Sequence, residues 1–242
     1  VRPSPVVILL PPSEGKAEGG SGAWKPQQGT FGRALSGQRA DLASALARQS
    51  GGTEALLGVR GDHLARAKQA NRTLTGAGTM PAWQRYTGVV WDHLDIASLT
   101  AAQRTRALQS IVVVSGLLGA VRADDRIPDY RLKMGARLAP YGLIAAWWHD
   151  HLSEVLNTAF VGRTVIDLLP NEHRRAFTPD PERLGDYIRV GLFEKSGKAG
   201  GHDAKAAKGR LARHVLITCT SASKARASIA SFRDPRFVAR LD

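Results

Sequence analysis

Apolar residues recur along this chain at two alternating periods. Residues 6–10 (VVILL), 110–118 (SIVVVSGLL) and 164–169 (TVIDLL) are short, β-branched and almost unbroken. Such runs predict strands buried on both faces. Elsewhere the apolar positions return every three to four residues, the helical period. Leu42, Ala45 and Leu46 share one face of 38–48, and Trp147, Trp148, Leu152 and Leu156 mark 143–157. Shorter helices are expected over 100–108, 171–177 and 222–232. Residues 187–193 and 214–220 read as two late strands joined by a basic, glycine-rich connection. Residues 15–37 are polar and glycine-rich and read as a long loop, which a compact domain needs a reason to carry.

Residues 53–71 read as two short helices around the turn Gly58-Val59-Arg60-Gly61, with Asp62 placed to cap the second. Strands and helices alternating in this way predict an α/β or mixed α+β fold, a central sheet flanked by helices. No repeat and no clear linker divides the 242 residues. A single domain over 1–242 is expected, and 38–95 has the pattern of a helical insertion after the first strand.

Charge changes the picture more than composition does. Hydrophobic residues at 43% and charged residues at 23% are ordinary for a globular chain. Lys and Arg number 34 against 21 Asp and Glu, a net charge of +13. Arg supplies 25 of the 34, and its fork matches phosphate and carboxylate. An anionic partner (nucleic acid, nucleotide or phosphate) explains this charge, and so does Arg-rich coding in a chain rich in Ala and Gly. A chain this basic holds DNA at low salt whatever its role, so such binding alone establishes no function.

No apolar run approaches the ~20 residues of a membrane span. Pro3, Pro5, Pro11 and Pro12 crowd the first strand, and no small-residue cleavage site follows, unlike a signal peptide. The single Cys219 excludes an intrachain disulfide and a thiolate zinc site, and it reads as a buried strand residue. A cytoplasmic protein with no membrane partner is the expectation. His149 and His151, two apart, leave a helix on different faces, and HExxH is absent. Neither a metal nor a cofactor is expected.

Four segments carry candidate chemistry. Ser13-Glu14-Gly15-Lys16 follows the first strand, where open sheets bind ligands; Lys16 offers a point charge and Ser13 an activatable hydroxyl. It is no Walker A loop, and an ordinary polar turn is the alternative. The second segment runs from Ser115 through Gly116 and Gly119 to Arg122, Asp125, Tyr130 and Arg131. Arg122 or Arg131 can clamp an anion, Asp125 can move a proton, and Tyr130 can stack or donate. An Arg–Asp pair pinning a loop explains the same residues. Third, the turn at 58–61 resembles a helix-hairpin-helix, whose amides grip phosphate without reading sequence. Arg60, Gly61, His63, Arg66 and Lys68 form its candidate nucleic-acid face, with a plain helical turn as the alternative. Fourth, Lys205 and Lys208 lie in a basic stretch over 202–213, either a phosphate-facing arm or a solvated loop.

Taken in order, LLPPSEGK, Tyr86-Thr87-Gly88, SGLLGAVRADDRIPDYRLKMG (115–135), VIDLLPNEH (165–173) and AKAAKG (204–209) resemble the motifs of the YaaA family, also called DUF328. The resemblance covers nearly the whole chain. It implies a mixed α/β fold with a basic cleft, and an association with peroxide stress, lowered free iron and DNA binding through a helix-hairpin-helix-like element. It assigns the cleft to Ser13, Lys16, Ser115, Arg122, Asp125, Tyr130, Arg131, Lys205 and Lys208. Three positions depart from the family pattern: Ala123-Asp124-Asp125 replaces Pro-x-Asp, Asp167 replaces Asn, and Lys208 replaces Arg. Two functions remain open. One is nucleic-acid binding in peroxide stress defence. The other is an enzyme acting on a small anionic or base-containing substrate, a nucleotide or nucleobase. In the second, Ser13, Glu14, Lys16, Asp125 and Tyr130 supply the catalytic groups, and Ser115, Arg122, Arg131, Lys205 and Lys208 hold the ligand.

Overall fold

The computed structural model describes residues 4–196 and 202–241. Six strands form the central sheet: β1 (Val6–Leu10), β2 (Ile111–Ser115), β3 (Gly119–Arg122), β4 (Thr164–Asp167), β5 (Asp186–Glu194) and β6 (Phe237–Leu241). Their spatial order is β6-β5-β4-β1-β2-β3. The inner pairs β5/β4, β4/β1 and β1/β2 are parallel, while β6 and β3 add antiparallel edges. Successive strand residues face opposite sides of a sheet. Val7, Ile8, Leu9 and Leu10 are all buried, so both faces of β1 are covered.

The helices that frame the site and its surroundings are α1 (Gly32–Arg48), α2 (Glu54–Leu57), α3 (Gly61–Arg72), α4 (Val89–Leu94), α5 (Ala101–Ser110), α6 (Ile144–Ala159) and α7 (His202–Thr218). α1 buries Leu35, Leu42 and Leu46; α6 buries Trp148, Leu152 and Leu156. α5 packs on β1 and β3, and α7 on β5. Thr100 starts α5 with a reciprocal cap to Gln103. The stretch 38–95 contributes Leu42, Leu46, Leu57 and Trp91 to the same buried cluster as β1. No helix of the described residues is long and apolar enough to cross a membrane.

The mixed α/β class and central sheet agree with the sequence reading. Several elements differ from it. Residues 214–220 are not a strand. They finish α7, because Ala207, Leu211, Ala212, Val215 and Leu216 continue one buried helical stripe. Cys219 is buried just beyond that helix rather than in a strand. The basic connection preceding it is helical from His202, and its residues 197–201 lie outside the described part. The 15–37 loop is shorter than expected: Gly15–Lys16 pairs with Tyr86–Thr87, Ser21–Ala23 pairs with Gly78–Pro81, and α1 begins at Gly32. The run 110–118 breaks after Ser115 and returns as β3.

Two local features position the site. Around the 58–61 turn, Gly58 closes α2 at φ 63°, a left-handed conformation that glycine adopts without strain. Buried Asn71 then ties α3 inward, donating to the carbonyls of Gly51 and Arg131 and accepting from the Arg131 amide. At Gly209, a Cβ would stand 2.3 Å from the Val90 carbonyl oxygen. The missing side chain lets α7 pack tightly on α4, bringing the first turns of α7 beside the loops after the sheet.

Candidate functional site

A cleft of about 740 Å³ opens among the loops that follow the parallel strands, within the size range of small-molecule sites. It is lined by 11–16 after β1, by 87–92, by 130–134, by Pro170, Glu172 and His173 after β4, and by Lys205 and Lys208 of α7. Topology explains the place. β2 lies on one side of β1 and β4 on the other, so the loops leaving β1 and β4 part company at their carboxyl ends. That divergence is where open parallel sheets bind ligands.

Lys16 sits at the centre of one wall. Pairing of Gly15–Lys16 with Tyr86–Thr87 fixes its backbone, and its side chain is buried. Nζ donates to the Ser13 carbonyl at 2.9 Å and stands 4.2 Å from the centre of the Tyr130 ring. Burial brings its pKa down to about 7; Arg131 and Arg85 push the same way, while Asp129 and Glu14 oppose them. Those two carboxylates are already engaged: Asp129 pairs with Arg66, and Glu14 bridges Arg131 and Lys133. A lysine of pKa 7 is half uncharged at neutral pH, the form that accepts a proton or attacks an electrophile.

Three buried hydroxyls lie behind it. Ser115 Oγ is 2.7 Å from Tyr130 OH, which is 2.8 Å from Tyr86 OH. Burial raises the Tyr130 phenol to about 12 and the Tyr86 phenol well above its ordinary value, so both keep their protons. Ser13 Oγ donates to the Thr87 carbonyl, joining the two loops of this wall. Burial works to raise the Glu14 carboxyl, but Lys133 and Arg131 outweigh it and hold it below the usual range.

The opposite wall follows β4. Asp167, fully buried, accepts from the Leu169 amide, Arg174 Nε and Tyr187 OH. This hub anchors the turn into the short helix Asn171–Arg174, which carries Glu172 and His173 to the cleft. Lys205 is exposed and Lys208 half-buried on the neighbouring face of α7.

A model described as "Peroxide stress protein YaaA" matches residues 6–237. The chain belongs to the YaaA family. It is 37% identical over 235 residues to a UPF0246 protein of Streptomyces coelicolor, covering 95% of this chain and 90% of that relative. It is 32% identical over 224 residues to a UPF0246 protein of Corynebacterium glutamicum, covering 88% and 86%. A Corynebacterium efficiens relative is 34% identical over 219 residues, covering 88% and 85%.

The YaaA blocks are far apart in the chain and meet at this cleft. Of the candidate residues, Ser13, Glu14, Lys16, Tyr130, Arg131, Lys205 and Lys208 line it. Ser115 stands one layer back, behind Tyr130. Arg122 and Asp125 are elsewhere. Arg122 pairs with Asp124, while the Asp125 carboxylate accepts from the amides of Thr30 and Arg122 and from Thr30 Oγ1. They fasten the turn after β3 to the segment before α1, the loop-pinning role that their spacing also allowed. In the hairpin, Arg60 pairs with Glu54, and Arg66 pairs with Glu18 and Asp129 while donating to the Lys16 carbonyl. Gly61 and His63 are exposed at the start of α3, and Lys68 is half-buried. Sequence reasoning about single residues missed Trp91, Lys133, Glu172 and His173. Glu172 and His173 follow a parallel strand directly, the signal that could have found them.

Proposed function

We propose that this YaaA-family chain serves peroxide or oxidative stress defence through its cleft, which binds and acts on a small anionic ligand bearing a flat base, a nucleotide or nucleobase. The observation that carries this reading is Lys16: a buried amine that pairs with no carboxylate among the described residues, in the wall of the cleft. Arg131 and Lys133 add charge beside it, and Trp91 and Tyr130 add aromatic edges to the same cleft. The test is thermal unfolding of wild type and Lys16→Ala with nucleobases, nucleosides, nucleotides and short duplex DNA. A ligand present at 100 times its Kd is expected to stabilise the wild type by about 2.7 kcal/mol and the variant by far less. Equal shifts in the two proteins would remove Lys16 from the site.

A second reading, sequence-independent nucleic-acid binding through the α2–α3 hairpin, is favoured by the net charge of +13 and by the exposed Arg60, Gly61 and His63. Its arginines are already paired with carboxylates, so the hairpin offers less free charge than the cleft. If it binds DNA, neutralising Arg60, Arg66 and Lys68 together is expected to flatten the salt dependence of affinity by ~0.9 in log–log slope per lost phosphate contact. An unchanged slope assigns the binding to another surface.

A further inference from the structure

We propose that the wall formed by α7 and the turn after β4 is a phosphomonoester subsite, with Lys205, Lys208 and His173 converging on the phosphate. The inference rests on the cleft reading above and assigns the anionic end of its ligand to one side.

Lys205 and Lys208 are three residues apart on α7, which puts them on one helix face, and both line the cleft. Neither side chain has a hydrogen bond or ion pair within the described residues. Two of the acidic groups around them are committed. Asp167 is bound by Arg174 and Tyr187, and Asp203, two residues before Lys205, pairs with Arg236. Glu172 lies at the cleft, exposed, its Oε1 3.6 Å from His173 Nδ1. His173 is only 7% exposed, and its Nδ1 is buried without a hydrogen-bond partner. A buried imidazole nitrogen without a partner is costly, and the half-buried Lys208 ammonium stands close enough to act on that ring; an anion between them offsets both costs. A phosphomonoester brings three acceptor oxygens and nearly two charges, enough for both ammonium groups and an imidazole donor.

The protonation states agree. Burial brings Lys208 down to about 8, with Arg174 and Lys205 pushing it further down and Asp167 opposing. Burial and Lys208 hold His173 near 4, so it is neutral at physiological pH. A dianion beside Lys208 reverses that pressure, and binding near pH 8 therefore takes up a proton.

Calorimetric titration of the full chain tests this, with inorganic phosphate, the nucleoside 5′-monophosphates and the matching nucleosides, in buffers of different ionisation enthalpy. The expected result is monophosphate binding at pH 8 with uptake of about half a proton per ligand, since Lys208 is then half charged. Lys208→Met is expected to weaken monophosphates at least tenfold, abolish the uptake and leave nucleosides unchanged. Lys208→Arg, permanently charged, is expected to restore affinity without proton uptake. Monophosphates and nucleosides that bind alike, or a phosphate increment indifferent to Lys208→Met, overturn the subsite and leave the cleft reading standing. Saturable binding by none of these compounds overturns both.

Discussion

Raising the pH from about 6 to about 10 is expected to stabilise this protein through Lys16, and Lys16→Met is expected to lose that gain. The folded value of about 7 lies below the ordinary lysine value of about 10.4. Between them the unfolded chain holds a proton that the folded chain has released, so stability rises with pH across the window and is lowest below pH 7. The separation corresponds to on the order of 4 kcal/mol. Lys208 titrates in part of the same range. The quantity to measure is therefore the difference between wild type and Lys16→Met in urea unfolding at several pH values. The variant should be ahead by most at the acid end, with its lead shrinking towards pH 10. Parallel curves would show that Lys16 titrates as an ordinary surface lysine, and the argument for its chemistry would go with them.

The second large effect is expected at Arg39. Its side chain is 1% exposed and meets no carboxylate within hydrogen-bonding distance among the described residues. Its guanidinium donates to four carbonyls: Leu118 and Ala120 on either side of the turn into β3, and Pro26 and Gln28 before α1. Burial lowers its pKa to about 10, which leaves it charged at neutral pH. Arg39→Met would leave those carbonyls without a donor in a space that water reaches poorly, at a cost of roughly 3–5 kcal/mol. Arg39→Lys should recover only part, because one ammonium cannot span both pairs as a planar fork does. Denaturant midpoints at constant m-value measure both. A loss under about 1 kcal/mol in Arg39→Met would mean that the 24–31 segment is held by its other contacts.

Arg39 also shows where the sequence misleads. An excess of arginine reads as a surface for an anionic partner. In the structure Arg39, Arg85, Arg126, Arg163 and Arg213 donate to backbone carbonyls, so part of the charge fastens loops. That use has no periodicity and no motif. β1, β2 and β4 were legible because unbroken β-branched runs have one common use, and the hairpin because glycine sets its turn. The end of α7 was not, since HVLITCT fits a strand locally; only the stripe from Ala207 onward, partly hidden among basic residues, makes it helical. β3 and β6 are edges with small or exposed residues, which carry little pattern. Within the candidate site, residues directly after β1 were recognisable by type and place, and Lys205 and Lys208 by type alone. Trp91 and His173 were not, because their relation to Lys16 exists only once the chain has crossed β1.

That crossing also bears on how the protein is made. β1 is among the most apolar stretches of the chain, and it pairs at Ile8 with Ile111 and at Val6 with Thr164. On a ribosome adding about 5–20 residues per second, roughly 5–20 s pass before the nearer partner is synthesised, and longer before the second. During that interval VVILL has both edges unpaired and fits the description of a segment that self-associates. The protein's yield in a cell should therefore depend on whatever shields this one pentapeptide while translation proceeds.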